Sequence, residues 1–198
     1  MIGQIKPLVQ VAGRRVWLTA VAAHIAGAAL SASILGAILG ALGLATGLPQ
    51  RAPLIADLIG CAALVACALR DIELWKWSLP STSRQTPAWF RTAFGPVWSA
   101  FAWGADLAQG WTTHVTFASY YGLVLWAVLS GSPSLGGILL GAYGLGRALP
   151  VLAAGLAGHT HDLGMAHLSQ LRLLHLVNAS AATFVAGYML GVWTVLWI

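Results

Sequence analysis

The feature that most constrains this chain is an uninterrupted apolar run from Trp17 to Gly47, which contains no Asp, Glu, Lys or Arg. A helix that crosses the hydrocarbon core of a bilayer needs about 20 predominantly apolar residues. The run is longer than that, and also longer than the apolar region of a cleavable signal peptide. It therefore predicts a transmembrane helix that is retained in the protein.

Composition extends this prediction to the whole chain. Of the 198 residues, 59% are apolar and only 8% are charged, whereas soluble domains contain about 25% charged residues. Five acidic and ten basic residues cannot cover the surface of a soluble domain of this length. These values exclude a soluble enzyme, a nucleic-acid-binding protein and a disordered chain, and the net charge of +5 is assigned to membrane topology.

The apolar pattern predicts an all-α, polytopic membrane helix bundle that forms a single transmembrane domain over residues 1–198. The third apolar block is too long for one straight span, so we expect a break near Gly110–His114. The short turn at 131–134 predicts that the blocks on either side of it are antiparallel neighbours. Five spans are expected, at about 17–47, 52–69, 93–129, 135–156 and 171–198.

The distribution of Lys and Arg predicts the orientation. With a cytoplasmic amino terminus and a single crossing of 93–129, eight basic residues lie inside and Arg51 alone lies outside. If residues 93–129 cross twice, seven basic residues lie inside and two lie outside. The charge distribution therefore does not decide between one crossing and two. The asymmetry favours a bacterial-type cytoplasmic (inner) membrane with the amino terminus in the cytoplasm. Several tryptophans are expected at the membrane interfaces, namely Trp17, Trp75, Trp77 and Trp89 at the inner face and Trp193 and Trp197 at the far end of the last helix.

Glycine spacing predicts where helices pack. Gly36 and Gly40 in the first span, and Gly137 and Gly141 in the fourth, are four residues apart and so share one helix face. Small residues on one face allow two helix backbones to approach closely in a membrane. The glycine face of the first span is also long enough to receive a helix of a partner chain.

Two motifs carry a resemblance to a known family. The run Gly110-Trp111-Thr112-Thr113-His114 and the pattern Tyr143, Gly146 and Pro150 resemble the CcdA/DsbD transmembrane family, which passes reducing equivalents across the membrane through a thiol pair. The resemblance implies two inverted three-helix repeats around a central site. His114 and Thr113 stand where the family has a cysteine and a proline, and the family's first helix has no counterpart before residue 17.

The only two cysteines do not restore the thiol pair. Cys61 and Cys67 lie six residues apart on one predicted helix, which separates them by about 9 Å along its axis. A disulfide needs Cα atoms within about 7 Å of each other. We therefore expect both cysteines to be core residues and do not expect electron transfer by the family's mechanism.

Ionisable residues inside apolar blocks are candidates for function, because a charge at the bilayer centre costs about 2.5–3.5 kcal/mol on insertion scales. His114, Asp106 and Arg147 are the intramembrane polar candidates. An Asp106–Arg147 ion pair is expected, because either charge buried alone is strongly unfavourable. His114 is either a neutral, hydrogen-bonded side chain at the break or a proton- or metal-binding group at mid-membrane.

Two further sets of residues suggest a metal or a cofactor. His159, His161, Asp162 and His167 contain imidazole and carboxylate groups that suit zinc, nickel or copper, although the same residues can be solvated or cap a helix. His24, which follows Ala20 by four residues, and His175 are conceivable axial ligands of a haem or pigment. No cofactor is required by the leading interpretation.

These patterns favour a protein that is not an enzyme. The leading hypothesis is a non-catalytic accessory or structural subunit of a respiratory, photosynthetic or cytochrome-maturation complex, with other membrane subunits and the lipid bilayer as partners. One alternative is a metal-ion or proton translocation protein that uses His114, Asp106 and Arg147. The other is a CcdA-like redox carrier that relies on the thiols of a partner.

Overall fold

The computed structural model describes residues 6–78, 95–110, 115 and 117–156, and of these the side chains between residues 15 and 149. All regular secondary structure in these residues is helical, as the sequence predicts. The predicted fifth span, 171–198, lies outside the described residues. The helices are α1 (Lys6–Thr46), α2 (Leu48–Arg51), α3 (Pro53–Asp71), α4 (Gly95–Ala108), α5 (Ser119–Leu129) and α6 (Pro133–Leu156).

Local sequence explains several helix boundaries. Helices α3 and α6 begin at Pro53 and Pro133, because proline has the φ angle of a first helical residue and needs no hydrogen bond there. The Ser132 hydroxyl accepts a hydrogen bond from the backbone N–H of Leu135 at 3.3 Å and so caps α6. At the end of α1, Gly47 adopts a left-handed conformation with φ 66°, which glycine tolerates without steric cost.

Two helices are long and apolar enough to cross a membrane, namely the Arg15–Thr46 part of α1 and Pro53–Asp71. Only 28% and 33% of their most apolar windows are buried, so neither resembles the core helix of a soluble protein. Large apolar side chains instead form an outward row along α1. This row consists of Leu30, Ile34, Ile38 and Leu42, each between 53% and 59% exposed.

The third apolar block contains the predicted interruption. Helix α4 ends at Ala108 and α5 begins at Ser119, and Gly110 between them has φ 72°. With 14 and 11 residues, the two helices are each shorter than the about 20 residues of a membrane span. Residues 111–114, including His114, lie outside the described part of the chain.

The chain divides into two compact units, which are described separately. The first comprises Met1–Ile34, Ser81–His114 and Gly141–Ala166, and the second comprises Leu35–Pro80, Val115–Leu140 and His167–Ile198. Helices α1 and α6 each contribute one part to each unit.

In the first unit, α1 packs directly on α4. A Cβ atom at Gly27 would overlap the carbonyl oxygen of Phe101, and one at Gly104 would overlap the carbonyl oxygen of His24. The side chain of His24 lies against Ala100 and that of Ser31 against Ala105, so residue numbers rise together along the two helices and α4 runs parallel to α1. Each glycine thus allows the backbone of one helix to reach that of the other.

The same unit brings α6 against α1. A Cβ atom at Gly144 would lie 2.9 Å from the Cβ atom of Ala32, and one at Gly141 would overlap the hydroxyl of Ser33. Both glycines are buried. Gly141, which the sequence analysis selected for helix packing, therefore lies in a close α1–α6 contact.

In the second unit, the glycines of α1 lie against the start of α6. Cβ atoms at Gly36 and Gly136 would each overlap the other's carbonyl oxygen, and one at Gly40 would overlap that of Ser132. The contact runs antiparallel. The position opposite Gly36 is Gly136, whereas the sequence analysis selected the next residue, Gly137. Gly137 is half-buried.

Helices α3 and α5 form an antiparallel pair in the second unit. A Cβ atom at Gly122 would lie 2.8 Å from a methyl carbon of Leu64, and one at Gly60 would lie 3.2 Å from the indole of Trp126. Cys61, Leu64 and Trp126 form a buried apolar cluster, with Leu123 and Leu139 packed against it. The pairing fixes the position at which α5 begins.

The glycine face of α1, which the sequence analysis described as long enough to receive a helix of a partner chain, is covered within each unit by helices of the same chain. Glycines distributed along the whole helix serve several neighbours rather than one. Of the tryptophans expected at the membrane interfaces, Trp17 is 4% exposed, whereas Trp75 is 56% exposed and stacks edge-on against Trp77 at 5.3 Å. Their position relative to a membrane stays a prediction.

The contact geometry predicts that Gly136→Ala is destabilising, because the added methyl group would overlap main-chain atoms that cannot rotate away. We expect a loss of about 1–3 kcal/mol in the free energy of unfolding, as for other overpacked sites. Gly146→Ala on the same helix is the control, since its Cβ atom meets nothing within 4 Å. Thermal unfolding of the detergent-solubilised protein distinguishes the two, and equal stability of both variants would contradict the α1–α6 contact.

Candidate functional site

A group of polar side chains connects α1 to α4 in the first unit. The hydroxyl of Ser31 donates to the carbonyl oxygen of Ala105 at 2.9 Å, and the Gln109 side-chain amide donates to the Ser31 hydroxyl at 3.1 Å. His24 lies seven residues before Ser31, which places both on the same face of α1. We call His24, Ser31 and Gln109 the α1–α4 polar cluster.

His24 is the most enclosed member of this cluster, with 1% of its surface exposed. Its Nδ1 lies 3.3 Å from the carbonyl oxygen of Ala100, and its ring centroid lies 4.6 Å from that of Trp103. Since a carbonyl oxygen only accepts, the hydrogen bond assigns the ring proton to Nδ1. Nε2 is buried and has no hydrogen-bond partner within the described structure.

The hypothesis that His24 is an axial ligand of a haem or pigment stays a prediction. The proposed second ligand, His175, lies outside the described residues. Ala20, whose spacing from His24 suggested that hypothesis, is 3% exposed.

Asp106 and Arg147 both belong to the first unit, on α4 and α6, and both are half-buried. Arg147 donates a hydrogen bond from its guanidinium to the Tyr143 hydroxyl at 2.9 Å, one turn earlier on α6. The expected Asp106–Arg147 ion pair stays a prediction. The Tyr143 hydroxyl is one partner of this guanidinium.

The ion pair that the described residues do form involves Arg70 and Asp71, at 3.6 Å. Asp71 is 1% exposed, and its two carboxylate oxygens accept hydrogen bonds from the backbone N–H groups of Ala118, at 2.7 Å, and Ser119, at 3.2 Å. Ala118 itself offers α5 no capping side chain. Asp71 therefore caps the amino terminus of α5 from another helix, where negative charge also complements the helix dipole.

The sequence analysis missed this role of Asp71. The residue follows the second apolar block and was placed in a polar loop between blocks. Its partners lie 47 and 48 residues further along the chain, so no local spacing connects them. One feature of the sequence could have indicated a distant cap. Helix α5 begins after Ala118, and an alanine has no side-chain acceptor for the first N–H groups of the helix.

Both cysteines are free and buried on α3. Each is 7% exposed, and Cys61 belongs to the apolar cluster with Leu64 and Trp126. The thiols thus occupy packing positions, as the sequence analysis expected.

Several candidate residues lie outside the described part of the chain, namely His114, His159, His161, Asp162, His167 and His175. Within the described residues, no three His, Cys, Asp or Glu side chains are grouped so that they could hold a metal ion. The predicted metal cluster at 159–167 therefore stays a prediction.

Chemically, the α1–α4 polar cluster offers hydroxyl and amide groups that can bind a small polar species and an imidazole that can take up a proton. Comparison with known proteins does not assign it a chemistry. No protein-family model, curated protein or solved structure matches this chain.

Removing one carboxylate oxygen of Asp71 tests its capping role. Asp71→Asn should lower the free energy of unfolding by about 1–3 kcal/mol, because its amide group would point a donor at the N–H of Ser119 or Ala118. The matched change Glu73→Gln, at an exposed position just beyond α3, should have an effect below about 0.5 kcal/mol. Chemical unfolding monitored by tryptophan fluorescence measures both, and an unchanged Asp71→Asn variant would show that α5 is capped in another way.

Proposed function

We propose that this chain is an integral membrane protein of the cytoplasmic membrane, with five spans, a cytoplasmic amino terminus and an architecture related to the CcdA/DsbD carriers. Two apolar helices of membrane length and the outward row of large apolar side chains on α1 support insertion in lipid. The excess of Lys and Arg on one side of the predicted spans supports the orientation.

We further propose that the protein translocates a proton or a metal ion. The observation that carries this proposal is the α1–α4 polar cluster, which leads along α4 to Gln109 and the left-handed Gly110, where the helix has ended. Irregular backbone at membrane depth is tolerated only where protein surrounds it or where it lines an aqueous cavity. Transporters place such interruptions at their binding sites.

Asp106 and Arg147 extend the set of polar groups in the first unit, on α4 and α6. Each is costly at membrane depth, so a role in the translocation path accounts for both. His114 follows the end of α4 in the sequence and remains a proposed member of the path.

A non-catalytic subunit of a larger membrane complex is the second candidate. The burial of both cysteines in helix packing favours it, because neither thiol of the described α3 is placed for redox exchange. The glycine face of α1 does not support a subunit role, because helices of this same chain cover it. In a larger complex, partner subunits would contact the outward row of apolar side chains on α1.

Proteoliposomes containing the purified full chain and a trapped pH dye test translocation, with a potassium diffusion potential as the driving force. We expect proton uptake above that of empty liposomes, and Asp106→Asn should reduce it at least about tenfold, since a neutral amide cannot exchange the proton. Glu73→Gln is the control. A zinc-sensitive dye trapped in the same proteoliposomes measures the transport of a metal ion.

The mass of the complex, measured in mild detergent directly from native membranes, separates the two candidates. A lone chain that conducts supports translocation. Co-migrating subunits together with no flux of protons or zinc would contradict translocation and favour the subunit role.

A further inference from the structure

The buried imidazole of His24 has one satisfied nitrogen and one that is not. Nδ1 lies 3.3 Å from the carbonyl oxygen of Ala100, whereas Nε2 is enclosed and without a hydrogen-bond partner in the described structure. A buried acceptor without a partner is costly, and such groups in folded proteins call for an explanation. We propose that Nε2 of His24 is the proton-binding site of the α1–α4 polar cluster, an inference that rests on the translocation function proposed above.

The hydrogen bond to Ala100 fixes the chemistry of the ring. Because Nδ1 carries the proton and donates it to a carbonyl, the lone pair that can accept a further proton lies on Nε2. The same bond holds the ring in one orientation, so Nε2 is presented without the side chain having to rotate. Histidine is the side chain that changes charge nearest to physiological pH.

Trp103 provides the second part of the site. Its ring centroid lies 4.6 Å from that of His24, with the planes inclined by 38°. An aromatic face within about 6 Å attracts a cation. The indole therefore stabilises the imidazolium that forms on protonation, and the Ala100 carbonyl continues to accept the Nδ1 hydrogen bond in that state.

The step is balanced by proton transfer alone. A hydronium ion gives its proton to the Nε2 lone pair, an N–H bond forms, and a water molecule remains. Release reverses the step at the same lone pair: the Nε2–H bond breaks, a water molecule takes the proton, and neutral imidazole returns.

The charged groups on the elements around this ring are few. Asp106 lies on α4, two residues beyond Gly104, which packs against the His24 backbone. Arg147 lies on α6, where it binds the Tyr143 hydroxyl, and Arg15 on α1 is exposed. Asp106 is thus the described carboxylate on the helix that packs against His24.

The geometry selects a proton over a metal ion as the ligand of Nε2. A metal site needs several protein ligands, and the described residues contain no group of three His, Cys, Asp or Glu that could provide them. A proton needs only the lone pair of Nε2.

The test is nitrogen-15 NMR of the full chain in lipid bilayers, with labelled histidine and the His24 signals identified by their loss in His24→Gln. Across the acid pH range in which the protein stays folded, we expect Nε2 to pass from unprotonated to protonated while Nδ1 keeps its proton. Trp103→Leu should move the midpoint to lower pH by about 0.4–1.5 units, since the cation loses its aromatic face.

Trp98→Leu is the matched control, because Trp98 lies on the same helix but is 68% exposed and packs edge-on against Phe101. It should leave the midpoint unchanged. A ring that stays neutral across this range in the folded protein, or that carries its proton on Nε2 at high pH, would overturn the assignment. So would equal shifts in the two tryptophan variants.

The proteoliposome assay keeps this inference separate from the proposed function. Loss of proton flux in His24→Gln, with the fold retained, supports both. A titrating His24 in a protein that transports nothing preserves the proton site and refutes translocation. Unchanged flux in His24→Gln preserves translocation and removes His24 from its path.

Discussion

The close approach of helix backbones at glycine is the interaction on which the other features of this structure depend. In the bilayer proposed for this chain, no hydrophobic force would drive one apolar helix onto another, so association would rely on contact at short range. At Gly27, Gly36 and Gly104 the partner of the missing side chain is a main-chain carbonyl of another helix. Small residues therefore lie at these contacts, whereas the large apolar side chains of the outward row on α1 are exposed.

This close packing also explains how the polar groups are satisfied. Ser31 and His24 reach main-chain carbonyls of α4, and Asp71 reaches main-chain N–H groups at the start of α5. Such bonds require a neighbouring backbone within reach of a short side chain, which glycine contacts provide. Against this background, Nε2 of His24 is a buried acceptor without a hydrogen-bond partner in the described structure, and the proton-binding site that we propose would account for it.

The sequence was sufficient to predict the helical class, the bounds of α3 and α6 to within a few residues, and the interruption between α4 and α5. The lengths of the apolar blocks and the positions of Gly and Pro between them predict these helix bounds, because both act locally. The opposition of Gly36 to Gly136 rather than Gly137 depends on the rotation of one helix against another, which neighbouring glycines leave ambiguous.

The site was harder to predict for the same reason. The cap that Asp71 places on α5 joins residues 47 positions apart, and the burial of Trp17 depends on tertiary packing rather than on its place beside Arg14 and Arg15. The hydrogen bond from Arg147 to Tyr143, one helical turn away, was likewise not predicted. Pairings between distant segments follow from packing that a single sequence does not specify.

The most direct test of this account is the accessibility of spin labels placed one by one along residues 28–42 of α1 in a lipid bilayer. The account predicts that labels replacing Leu30, Ile34, Ile38 and Leu42 are accessible to lipid-soluble oxygen and shielded from a water-soluble nickel reagent. Labels replacing Ala28, Ala32, Gly36 and Gly40 should be immobile and shielded from both. High accessibility of the outward row to the water-soluble reagent, or the absence of a helical period, would contradict it.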